Sequence, residues 1–170
     1  MGRDKGDLIY PHSQISQRAR CFDLLKSVCD EVYLSCREEQ TRSLEPHLPF
    51  VVDSFPGEGP GVGILSADQR FARHSWLVLA CDFPYINRED IQHLVNQRSV
   101  AHDATCFIHA DGTIEPLFTI WEKTSIQLLK ENFSKNHFSP RKVLSDLNCK
   151  KIQPLREIAL RNVNCATQSQ

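Results

Sequence analysis

The sequence predicts a single α/β domain in which helices cover both faces of a sheet. Three observations carry that reading. Short apolar, β-branched runs alternate with segments of helical spacing, one of those runs is apolar without interruption, and 170 residues supply one substantial core and little more. The uninterrupted run is Trp76 to Cys81, inside Ser75-Trp-Leu-Val-Leu-Ala-Cys-Asp-Phe-Pro-Tyr-Ile86. It lacks polar alternation and is too short for a helix that Pro84 would stop, so it reads as a strand buried on both faces.

The other elements follow in chain order. Ile15, Ala19, Phe22, Leu25 and Val28 recur at helical spacing and predict a helix over Gln14 to Val28. Glu31 to Cys36 and Phe50 to Val52 predict two short strands, the second ending in Asp53. Gly57, Gly59, Gly61 and Gly63 follow, four of the seven glycines, with Pro56 and Pro60 among them; they predict a loop, and Val62 to Phe71 a helix. A helix is expected from Asn87 to Arg98, with Asn87 as cap and Glu89 and Asp90 in its first turn. Ala104 to His109 and Pro116 to Trp121 read as strands, and Asp111-Gly112 between them is a hairpin signal for antiparallel neighbours. Lys123 to Phe133 and Pro140 to Leu147 read as helices, the second capped by Ser139, and Ile158 to Val163 as a last strand. No repeat or interdomain linker divides residues 1–170.

Composition narrows the function classes. Lys and Arg number 20 against 21 Asp and Glu, for a formal charge of −1, and no long basic run is present, so no nucleic acid partner is expected. No apolar run has the length of a membrane span, so no membrane partner is expected either. The seven cysteines, at 21, 29, 36, 81, 106, 149 and 165, form no C-x-x-C pair, and several sit in apolar runs. That usage argues against a zinc site or a disulfide framework and for a reducing, cytoplasmic setting. The seven histidines show no ligand spacing, and Phe118 and Trp121 read as core.

Chemistry-bearing residues gather at expected strand ends. Asp82 stands where a buried strand leaves the sheet, the edge at which open α/β folds bind ligands. A carboxylate there suits a hard cation holding a phosphate. Helix capping is the competing role, yet Asn87 offers the better start for the next helix. Arg3 and Lys5 lie beside Gly2 and Gly6, a pairing of cations with accessible amides that suits pyrophosphate. Asp53 precedes the glycine loop, and Asn162 and Asn164 share one face if the last strand continues. Arg141 and Lys142, after Ser139, either reach a phosphate or form a solvated face.

Read together, Met1-Gly-Arg-Asp-Lys5, Val52-Asp53-Ser54, Gly59-Pro-Gly-Val-Gly63, Leu79-Ala-Cys-Asp-Phe-Pro-Tyr-Ile86 and Asn162-Val-Asn164 resemble the molybdenum cofactor guanylyltransferases, over nearly the whole chain. The resemblance implies a Rossmann-like nucleotidyltransferase fold of three layers with a mostly parallel sheet. It implies an enzyme that transfers GMP from GTP to molybdopterin, forming the guanine dinucleotide cofactor and pyrophosphate with Mg²⁺. Lys5 would neutralise the triphosphate and leaving pyrophosphate, with Arg3 a second candidate. Asp82 would hold Mg²⁺, and Asn164 would be a further metal or phosphate contact, with Asn162 beside it. Asp53 would contact the nucleoside. Ser35 stands where the family often has an asparagine facing the nucleotide. Gly59, Pro60, Gly61 and Gly63 would pack close to the guanine or the pterin, and Arg141 could reach the pterin phosphate. Transient contact with a molybdoenzyme or a cofactor-delivery protein is also implied.

One departure stands out. In the family an apolar strand and a Leu-Ala-Gly-Gly loop precede the Met1-Gly-x-x-Lys5 segment. The expectation is therefore an amino-terminally truncated domain lacking a central strand, with unpaired strand edges inside the fold and weak GTP binding. Two alternatives stay open: transfer from CTP or another nucleoside triphosphate, and a non-catalytic relative that binds molybdopterin or a partner protein.

Overall fold

A computed structural model describes residues 5–10, 13–72 and 74–162. In order, it contains α1 (Gln17–Lys26), β1 (Leu34–Cys36), β2 (Phe50–Val52), α2 (Pro60–Arg70), β3 (Trp76–Leu79) and α3 (Arg88–Asn96). Then come β4 (Ala104–Ile108), β5 (Ile114–Trp121), α4 (Lys123–Ser134), α5 (Pro140–Ser145) and β6 (Cys149–Ile152).

The helices begin where local chemistry satisfies their free amides. Ser16 Oγ accepts from Ala19 N at 3.2 Å to open α1, and Ser139 Oγ accepts from Lys142 N at 3.3 Å to open α5. Asn87 and Asp90 exchange a reciprocal pair of 3.0 Å bonds at the head of α3. The α2 start differs from the expectation of a loop up to Gly61. Pro60 is already the first helical residue, because its fixed φ suits that position, while Gly59 before it takes φ +84°.

The strands form two sheets. β1 and β2 pair in parallel, and β3-β5-β4-β6 make a second sheet in that order. β5 is antiparallel to both β3 and β4, whereas β6 is parallel to β4. The expected mostly parallel sheet is thus mixed in detail. The Asp111-Gly112 turn does join antiparallel neighbours, closed by Gly112 N to His109 O at 2.8 Å. The β4–β5 register shifts between Cys106 and Ile108, in the stretch where β5 carries Pro116, which has no amide to donate.

Two further expectations need correction. Ile158 to Val163 is not a strand over its described part: Glu157–Leu160 form a 3-10 turn that buries Ala159 and Leu160, closed locally by Arg161 N to Ile158 O at 3.1 Å. The last strand is instead β6, whose Cys-Lys-Lys-Ile sequence hid it. Only one of its four residues is buried, and exposed lysine is ordinary on an edge strand.

The large sheet separates two cores, which gives the three layers. On one face Ile64, Leu65, Ile126, Leu129, Phe133 and Leu144 pack around Trp121, from α2, α4 and α5. On the other Ile91 and Leu94 of α3 meet Phe107, Phe118 and Ile120, with Leu24 and Leu25 of α1 alongside. No helix among the described residues is long and apolar enough to cross a membrane. Cys21, Cys29, Cys36, Cys81, Cys106 and Cys149 are all free thiols.

Candidate active site

Asp82 lies in the turn that follows β3, and three contacts fix the backbone beyond it. Gln17 Nε2 donates to Phe83 O at 3.3 Å, Arg20 donates to Ile86 O, and Arg156 Nη2 donates to Tyr85 O at 2.9 Å. Phe83 and Ile86 are themselves buried in the core. The carboxylate is therefore presented from a rigid edge rather than from a mobile loop.

Lys5 reaches the same carboxylate. Its Nζ lies 3.5 Å from Asp82 Oδ2, and Asn162 Nδ2 donates to that oxygen at 2.5 Å. Asp82 Oδ1 is buried and has no hydrogen-bond partner among the described residues. The Lys5–Asp7 turn is anchored by Gln17 N donating to Leu8 O at 2.8 Å and by the Arg18–Asp7 ion pair. Arg18 is 3% exposed and also lies 3.8 Å from Glu45 Oε2. Lys5, Gly6, Arg18, Ser35, Cys36 and Asp82 line one cavity of about 220 Å³.

A second group gathers at the ends of β1 and β2. Ser35 Oγ donates to Asp53 Oδ1 at 2.7 Å, and Gly63 of α2 sits against both. A Cβ on Gly63 would fall 2.2 Å from Ser35 Oγ and 3.5 Å from Asp53 Oδ1, so only glycine lets the helix approach this closely. Ser35, Asp53, Gly59, Pro60 and Gly63 line an apolar cavity of about 290 Å³. Ser35 borders both cavities and so joins the apolar half of the site to its charged half.

The remaining expected residues divide. Gly61 turns to the core instead of the cavity: a Cβ there would lie 2.6 Å from the Phe133 ring. Arg141 is exposed on α5, close enough to Asp111 to stabilise its carboxylate, and does not line either cavity. Arg3 and Asn164 lie outside the described residues. Arg18 is the residue that sequence reading missed as part of the site. On the sequence it is one more cation between the apolar positions of an amphipathic helix, and only the packing of the Lys5–Asp7 turn on α1 buries it.

Two of the thiols beside the site are held protonated. The Cys21 thiol is pushed up by its hydrogen bond with Cys81 and by burial, with Asp82 adding to the effect, so it stays protonated at neutral pH. Burial and the Asp53 charge likewise raise Cys36. The site offers instead a cation, an orphaned hard oxygen and an amide around one carboxylate, beside an apolar recess. Such an arrangement binds and neutralises phosphate while lodging an apolar or planar group next to it. Among the described residues no three His, Cys, Asp or Glu side chains cluster to hold a metal by themselves.

The chain resembles known proteins in sequence and in fold. The chain is 33% identical over 169 residues to a molybdenum cofactor biosynthesis bifunctional protein from Synechocystis, covering 96% of this chain and 47% of that one. It thus spans about half the length of that relative. It is 27% identical over 146 residues to a molybdenum cofactor guanylyltransferase from Pseudomonas putida, covering 84% of this chain and 74% of the relative. The fold matches molybdopterin-guanine dinucleotide biosynthesis protein A from Archaeoglobus fulgidus at a TM-score of 0.73 and 21% identity, over 96% of this chain and 85% of that one. A protein from Aquifex aeolicus gives 0.72 at 20% identity, over 85% and 77% of the two chains. The profile of the MobA-like NTP transferase domain matches residues 1–151, and this chain belongs to that family.

Proposed function

We propose that this protein transfers GMP from GTP to molybdopterin, giving the guanine dinucleotide and pyrophosphate. The observation that carries the reading is the meeting of Lys5, Asn162 and Asp82 at one sheet edge, with Asp82 Oδ1 left unpartnered. The phosphate of the pterin supplies the nucleophilic oxygen, which bonds to the α-phosphorus as the bond to the bridging oxygen breaks. Pyrophosphate carries away the electron pair. No side-chain nucleophile is needed, in keeping with the raised Cys21 and Cys36 thiols.

Each residue then has a task of position or charge. Lys5 neutralises the β- and γ-phosphates and the leaving group, supported by the buried Arg18 behind its turn. Asn162 orients the Asp82 carboxylate, and Asp53 with Ser35 contacts the nucleoside. Gly59, Pro60 and Gly63 leave room for a ring in the apolar recess. Arg3, Asn164 and Arg141 are further candidates for phosphate contacts. A single free carboxylate oxygen beside phosphate fits Mg²⁺, which binds through one or two carboxylates plus substrate oxygens. Asp82 would hold it, with Asn164 as a second ligand, and when bound it supplies charge neutralisation at the phosphates. A soluble cytoplasmic setting and delivery of the product to a molybdoenzyme or a cofactor-delivery protein belong to the same proposal.

The test is pyrophosphate release with molybdopterin and GTP, CTP or ATP in parallel. GTP is expected to be preferred, and a preference for CTP overturns the guanine assignment. Asp82→Asn should slow turnover about 10²- to 10³-fold, the usual cost of losing a group that stabilises transition-state charge. A cellular role that survives Asp82→Asn would favour binding without turnover.

A further inference from the structure

Asn162 reaches Asp82 from the segment that follows β6, and the course of that segment is fixed against α3. Gln153 O lies 3.2 Å from His93 Nε2. Arg156 Nη2 donates to Asp90 Oδ2 at 2.5 Å. Ala159 and Leu160 then join Ile91 and Leu94 of α3 in the core. Asn162 follows directly, with its Nδ2 on Asp82 Oδ2.

Arg156 differs from the other anchors because it also touches the far side of the site. Its Nη2 donates a second bond, to Tyr85 O at 2.9 Å. Tyr85 lies in the turn that carries Asp82. One guanidinium nitrogen therefore ties that turn both to α3 and to the segment bearing Asn162. The Asn162–Asp82 bond joins the same two stretches of chain a few residues farther on. The two links close a small loop, so the first holds the partners of the second within reach of each other.

Asp90 keeps Arg156 in place. It is 1% exposed, its Oδ2 also accepts from Asn87 N at 3.0 Å, and its Oδ1 is buried with no hydrogen-bond partner among the described residues. A carboxylate so buried holds a cation against it, since leaving that charge unpaired is costly. Charge compensation alone would ask only for a cation near Asp90. The planar fork of a guanidinium adds a donor that reaches a backbone oxygen as well.

We infer that Arg156 is a positioning residue: it holds the segment that brings Asn162 to Asp82. With Asn162 on Oδ2, the carboxylate is turned so that Oδ1 stays open. The effect on turnover rests on the guanylyl-transfer reading, whereas the effect on Asn162 does not.

The first readout is the side-chain amide of Asn162, followed by nuclear magnetic resonance in isotope-labelled protein without nucleotide. Its signal is assigned by its loss in Asn162→Ala. In Arg156→Met it should move to the position of a free amide. The same change leaves Asp90 unpaired and should lower the thermal midpoint. Adding Asp90→Asn removes that charge yet keeps an oxygen for Asn87 N, so the midpoint should recover while the Asn162 signal stays displaced. Return of the signal with the midpoint overturns the inference, by reducing Arg156 to charge compensation. An unmoved signal in Arg156→Met overturns it too.

Turnover supplies the second readout. Arg156→Met should lower kcat for pyrophosphate release about 10- to 100-fold with little change in KM for GTP, the cost of a small misplacement beside the reacting atoms. Combined with Asn162→Ala, kcat should fall no further than with Asn162→Ala alone, because both changes remove one contact. Losses that multiply overturn the inference. A parent protein that releases no pyrophosphate overturns guanylyl transfer instead, and the Asn162 signal still decides the role of Arg156.

Discussion

The four-stranded sheet and the β1–β2 pair are built from similar short apolar strands, yet they are held by different means. β4 and β5 lie between two cores, and Trp121, Phe107 and Phe118 have no exposed surface. β1 and β2 also bury residues, Cys36 and Val51 among them, but these belong to neither core cluster. Their principal helical support is α2. The site straddles the two regions: Asp82 stands on the well-held sheet, and Ser35 and Asp53 on the lightly held pair. The lesson is that the charged half of the site is set by core packing, while the recess half depends on the contact with one helix.

The sharpest way to break this comparison is to cut a cavity in each region. Leu129→Ala, in the core under the large sheet, should cost about 2–5 kcal/mol in urea unfolding. Val51→Ala, on β2, should cost about 1 kcal/mol, because it removes fewer atoms at a site that can relax. Equal costs would mean that the β1–β2 pair shares the main core after all.

Gly63→Ala probes the helix contact itself. The added methyl would meet Ser35 Oγ, so a destabilisation of about 1–3 kcal/mol and a perturbed Ser35–Asp53 bond are expected. Ser35→Ala in the same chain should recover part of that loss, and additive effects would refute the clash.

The smallest expected effect tests the other end of the large sheet. Burial opposes ionisation of Glu122, but hydrogen bonds from Arg98 and Ser75 outweigh it and hold the carboxyl below its usual range. A lowered folded value stabilises the protein above the unfolded value of about 4.3, and that stabilisation is lost as pH falls through the folded value. Glu122→Gln should therefore cost about 1 kcal/mol near neutral pH, reduced by the partial exposure of Arg98. The difference from the parent should fade in acid, below about pH 4. A pH-independent difference in unfolding would place the effect elsewhere.

Much of this was legible in local pattern. The Asn87 and Ser139 caps and the Asp111-Gly112 turn depend on residues close in sequence, and each behaves as its chemistry requires. The Trp76 run does form a strand, but over Trp76–Leu79 and half-buried rather than buried on both faces, because among the described residues β3 pairs only with β5, at the edge of its sheet. β6 was hidden because an edge strand with two lysines carries almost no apolar signal, and Ile158 to Leu160 misled because three apolar residues in a row suit a buried turn as well as a strand. In the site, Lys5, Asp53 and Asp82 could be singled out by residue type and by their place beside glycine or at strand ends. Gly61 could not be separated from Gly63, since one faces Phe133 and the other Ser35 through helix geometry alone.

The sequence by itself determined the alternation of strands and helices, the helix caps and the carboxylate after the apolar strand, because propensity, capping and hydrophobic period act within a few residues. Only the tertiary structure decided that Arg18 is buried behind Lys5, that Asp82 keeps one oxygen without a partner among the described residues, and that residues of both sheets line one apolar cavity. Those outcomes arise from contacts between segments tens of residues apart, whose geometry is set by packing around the whole core and leaves no mark in any local pattern.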